Sequence, residues 1–88
     1  MRITPDYLRD AGEVIAAAAT LRDAAASWRA RDPAVRVVVV DAMDMRGETP
    51  ALSLGKRRIF LATTNGHCWS TTDLAEEASA LILTEDPA

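Results

Sequence analysis

The chain reads as an α+β fold, a long N-terminal helix packed on a mostly antiparallel sheet. Three observations predict it. Apolar residues recur at three- and four-residue steps as far as Trp28, the apolar runs after Pro33 become short and β-branched, and Gly55-Lys56 and Asn65-Gly66 punctuate those runs at hairpin spacing. The expected order is α-β-β-β-β-α-β, a single domain over residues 1–88.

Thr4 suits a helix N-cap, Pro5 the first helical position, and Asp6 the positive end of the helix dipole. Leu8, Ala11, Ile15, Ala18, Leu21, Ala25 and Trp28 then form one apolar stripe, with Arg9, Glu13, Arg22, Asp23 and Arg29 mostly off it. Gly12 costs such a helix about 1 kcal/mol against Ala and marks a candidate break into a short first helix and a long second one. The alanine runs 16–19 and 24–26 have two readings, plain helix propensity and close approach to a neighbouring element. Pro33 ends the helix.

Val35 to Val40 is almost continuously apolar and reads as a strand central in its sheet or covered on both sides. Asp41 to Pro50 is a polar connection with Gly47 and Pro50 as breakers. Ala51 to Leu54 and Arg57 to Thr64 pair around Gly55-Lys56, and His67 to Thr71 returns after Asn65-Gly66. Thr72 or Asp73 caps a short helix, Leu74 to Ser79, and Ala80 to Thr84 is the last strand.

Two-residue turns imply registers: Leu54 opposite Arg57, Leu52 opposite Ile59, Thr64 opposite His67, Ala62 opposite Trp69. Alternation then puts Leu52, Leu54, Ile59, Leu61, Thr63, Cys68 and Ser70 on a core face. The other face carries Arg58, Phe60, His67 and Trp69 among small residues. Aromatics and Arg concentrate where interfaces desolvate, so these four are the candidate interaction surface; the competing reading is cover by the chain's own second helix or a loop.

Thirteen acidic against ten basic residues give a net charge of −3, the wrong sign for a chain that binds nucleic acid or anionic lipid. The sequence shows neither a signal-peptide run nor a membrane-spanning stretch, and the expected location is cytoplasmic. One cysteine forms no internal disulfide, and no zinc-finger spacing occurs. His67-Cys68 is the one pair of soft ligands, but strand neighbours point to opposite faces, which disfavours a shared metal or proton. Asp41, Asp44 and Glu48 supply oxygen ligands for a hard cation, with Arg46 among them pointing instead to ion pairs. Lys56-Arg57-Arg58 reads as a solvated turn. No catalytic motif is present, so neither a catalytic residue nor a cofactor is assigned.

The segment RRIFLATTNGHCWSTTD, followed by LAEEASALILTE, resembles a family of small uncharacterised proteins encoded near nitrogen-fixation genes in proteobacteria. The likeness rests on Ile59 to Leu61, His67-Cys68, Ser70 to Asp73, Ala75 to Ala80 and Leu81 to Leu83, about a third of the chain. Trp69 stands where that pattern has an aliphatic residue. The resemblance implies an accessory role in diazotroph physiology without known catalytic residues. The functional expectation is a small non-enzymatic adaptor acting by protein–protein contact, as a homodimer or in a hetero-complex. The alternative is a metal- or small-ligand-binding protein using His67/Cys68 or the Asp41–Glu48 region.

Overall fold

The computed structural model describes residues 3–65, 68–72 and 78–86, with residues 64, 65 and 68–70 described by their backbone alone. Helix formation begins where the chain supplies a cap. The Thr4 hydroxyl accepts from the Tyr7 N–H at 3.1 Å, Pro5 takes the first turn, and α1 runs Pro5–Ala17. Thr20 repeats the device by accepting from the Asp23 N–H at 3.0 Å, and α2 runs Leu21–Arg31.

The helical region therefore breaks at residues 18–20 rather than near Gly12, because Thr20 competes for the backbone as a new cap and Ala18 adopts extended geometry. Gly12 has a different role. It is buried inside α1, and a Cβ placed there would stand 2.7 Å from Leu52 Cδ2, so the absent side chain lets the helix sit close on the sheet.

Five strands follow: β1 Arg36–Val39, β2 Leu52–Leu54, β3 Arg57–Asn65, β4 Cys68–Thr71 and β5 Ala80–Glu85. A short 3-10 helix, Ala42–Met45, interrupts the connection between β1 and β2, with the Asp41 carboxylate accepting from the Met43 N–H at 3.1 Å. The sheet is mixed. Its path is β1-β5-β3-β2, with β4 pairing the later part of β3, residues 62–65; β1 and β5 are parallel and the other pairings antiparallel. The expected order of elements is thus corrected at the N-terminal end, where two helices precede β1. The expected helix Leu74 to Ser79 lies largely outside the described residues.

The first hairpin has the expected register, Leu52 opposite Ile59 and Leu54 opposite Arg57, with Gly55 at φ 65° in the turn. The second differs. Asn65 pairs with Cys68, Thr64 with Trp69 and Ala62 with Thr71, so the reversal is one residue later than Asn65-Gly66 dictates. Each partner moves by two positions, which keeps the face parity of the strand.

The face toward the helices carries the larger core. Ile59, Leu61, Leu81, Leu83, Val35 and Val37 meet Ala11 and Ile15 of α1 and Leu21, Ala24, Ala25 and Trp28 of α2. Ala24 and Ala25 bear out the close-approach reading of their run, whereas Ala16, Ala17 and Ala19 are exposed. A smaller cluster on the opposite face joins Phe60, Ala62, Ala80 and Ile82 to Met45.

The helices are also tied by polar contacts. The Trp28 indole N–H donates to the Tyr7 hydroxyl, which donates to Asp32 Oδ2, both at 2.8 Å, and the two rings meet edge to face. Burial and the bond to Asp32 push the Tyr7 phenol up to about 12. Because the folded value exceeds the unfolded one of about 10, this linkage contributes stability that is complete below pH 10 and is lost as the pH rises toward 12. Tyr7 is the only tyrosine, so tyrosinate absorbance reads it directly. Titration near pH 12 while folded and near 10 in denaturant is the expected result; equal values would remove the Asp32 contact.

Candidate functional site

Two surface features combine apolar lining with groups able to orient a partner. The first is a groove where α1 runs beside β2. Leu8, Gly12, Ala16, Leu52 and Leu54 line it, and Arg9 and Glu13 stand at its rim, around a volume of about 470 Å³. Its position follows from the sequence: the helical stripe drives Ala11 and Ile15 into the core, and the flank one step round the helix, with Leu8 and Gly12, is left over the edge of the sheet.

That edge has no partner strand among the described residues. The ladder alternation turns the Ser53 N–H and C=O away from β3. The opposite edge of the sheet is treated differently. Arg29 extends from α2 and donates from Nε and Nη2 to the Val37 carbonyl at 2.9 and 2.7 Å, occupying an acceptor on the outer side of β1.

The second feature is a cleft of about 480 Å³ between segment 42–50 and the sheet face away from the helices. Met45 and Phe60 form its apolar floor, Thr84 and Arg58 come from neighbouring strands, and Arg46, Glu48 and Asp86 complete the wall. Arg58 Nη1 reaches both Asp86 oxygens at 2.7 Å. Glu48 Oε1 accepts from the Thr71 hydroxyl, which ties the loop to β4.

The expected interaction surface fares unevenly. Phe60 is 3% exposed beneath Met45, so it offers no ring to a partner; the competing reading, cover by a loop of the same chain, is the correct one for this residue. Arg58 lies beside the cleft and is paired. His67 lies outside the described residues, as do the side chains of Trp69 and Cys68; Trp69 is placed by register opposite Thr64.

The turn Lys56-Arg57-Arg58 is not simply solvated. Arg57 points to the helix side, where its guanidinium donates to the carbonyls of Ile15, Ala18 and Ala19 and to Glu85. The acids of 41–48 do not converge: Asp41 caps the 3-10 helix and Glu48 holds Thr71, and the described residues contain no group of three metal-ligating side chains. Arg46 forms no ion pair among the described residues.

The α1–β2 groove had no motif to announce it. Its only sequence signal is Gly12 within a good helix, beside an apolar Leu8 flank. Compared with known proteins, the chain matches no family model, no curated protein and no solved structure. No helix among the described residues is long and apolar enough to cross a membrane.

Proposed function

We propose that the chain is a non-catalytic adaptor that receives an extended, alternately apolar segment of a protein partner along β2. The observation that carries this reading is the contrast between the two sheet edges. On β1 the Val37 carbonyl is occupied by Arg29, whereas β2 presents its outer backbone beside an apolar groove. Strand addition uses these two components: main-chain hydrogen bonds supply affinity, and alternate side chains enter a pocket on one side. The likeness of the C-terminal half to proteins encoded near nitrogen-fixation genes supports an accessory role in that physiology.

Selection of a displayed peptide library on the full chain is expected to enrich sequences with apolar residues at every second position. Ser53→Pro removes the outward N–H, and Leu8→Glu places a charge in the groove. Each is expected to weaken the selected peptides about tenfold or more, in line with a lost main-chain bond or a charge buried against leucines. Binding unchanged by both substitutions would refute the reading. Sedimentation of the free chain separates a partner segment from a second copy: concentration-dependent dimerisation abolished by Ser53→Pro would make the occupant β2 of another copy.

A further inference from the structure

The cleft under segment 42–50 lies on the other face of the sheet from the helices, and nothing in the adaptor reading uses it. Of its apolar lining, Met43 is 70% exposed and Pro50 half-buried, while Met45 and Phe60 are buried. Its charges are balanced: Arg46 and Arg58 against Glu48 and Asp86. Arg58 spends a single nitrogen on Asp86, leaving Nε and Nη2 without a hydrogen bond among the described residues. Arg46 is exposed and unpaired among them. Glu48 uses Oε1 on Thr71. Thr84, the buried polar residue of the apolar strand β5, adds a hydroxyl beside Phe60.

This combination selects among ligand classes. A simple anion would lie against Glu48 and Asp86, and a simple cation against two guanidiniums. An uncharged apolar molecule would strip water from all four charges without replacing it. A molecule with a carboxylate, an ammonium group and an apolar body complements every wall. A volume of about 480 Å³ falls within the roughly 300–1,000 Å³ typical of small-molecule sites.

We propose that this cleft binds a free α-amino acid with a large apolar side chain. The carboxylate meets the uncommitted donors of Arg58 together with Arg46, the ammonium group faces Glu48, and the side chain lies against Met43 and Pro50. A guanidinium is the suitable anchor because its planar donors match a carboxylate.

The test is a titration of the isotopically labelled full chain with L-phenylalanine, phenylacetate and phenethylamine, followed by amide shifts. Saturable shifts with L-phenylalanine centred on residues 42–50, Arg58, Phe60 and Thr84 are expected. The two compounds lacking one charge are expected to bind about tenfold more weakly or worse, each having lost one charge-assisted contact. Arg46→Gln, an exposed position whose replacement spares the fold, should weaken L-phenylalanine about fivefold or more, while Arg9→Gln in the α1–β2 groove should not. Equal binding of the three compounds, no saturable shift, or indifference to Arg46→Gln would overturn the proposal.

Discussion

Phe60→Ala is expected to lower the unfolding free energy by about 3–5 kcal/mol, the usual cost of removing a phenyl ring from a packed core. Phe60 is buried with Met45 in the smaller cluster, with Ile82 at 0% exposure opposite it in the ladder, so removing the ring takes apolar contacts out of a packed cluster. A chain of this length gives up roughly 4–8 °C of melting temperature per kcal/mol, so the variant should melt well below the parent. Denaturant unfolding checks it, with a shifted midpoint and an unchanged slope. An exposed docking aromatic would behave otherwise: its removal would cost little stability and reduce only binding. A loss below about 1 kcal/mol would therefore place Phe60 at the surface.

The contrast between those outcomes shows where the sequence is informative. The apolar stripe from Leu8 to Trp28 and all five strands follow from periodicity and turn chemistry, which act within a few residues. Gly12 costs a helix about 1 kcal/mol and is nevertheless kept inside α1, whereas the break falls at Thr20, whose hydroxyl accepts from the Asp23 N–H as Thr4 does from the Tyr7 N–H. The reversal in β3–β4 went the other way: Asn65-Gly66 is the strongest short hairpin signal, and the ladder places the reversal one residue later.

What periodicity does not carry is cover. Alternation places Phe60 on the face opposite the helices, but whether that face is wet depends on Met45, fifteen residues earlier, folding back from a polar connection. The candidate site has the same character. Arg46 and Glu48 come from segment 42–50, Arg58 from β3 and Asp86 from the residue after β5, and none of their spacings forms a motif.

Arg57→Met is expected to cost about 3 kcal/mol, because it strands several acceptors at once. The α1 backbone stops at Ala17, and the carbonyls of its last turn have no helical partner. The usual remedies are a glycine cap or a basic residue in the last turn, and α1 has neither. Arg57, 13% exposed, supplies the donors from the hairpin instead: Nη1 meets Ile15 O at 2.5 Å and Ala18 O at 2.8 Å, Nη2 meets Ala19 O at 3.3 Å, and Nε meets Glu85 Oε2 at 2.7 Å. A positive charge at the negative end of the helix dipole adds to these bonds. Methionine keeps the stem's apolar contacts and removes every donor, so the loss reports the cap rather than a cavity. Glu85→Gln supplies the comparison. Glu85 is 41% exposed, and an ion pair so open to water is worth no more than about 1 kcal/mol, so that variant should unfold close to the parent. Arg57→Lys should fall between the two, since one ammonium cannot span three carbonyls and a carboxylate in the way a planar fork does. If Arg57→Met and Glu85→Gln cost the same, the ion pair alone accounts for Arg57. The break between the helices at residues 18–20 would then be stable without the hairpin beneath it.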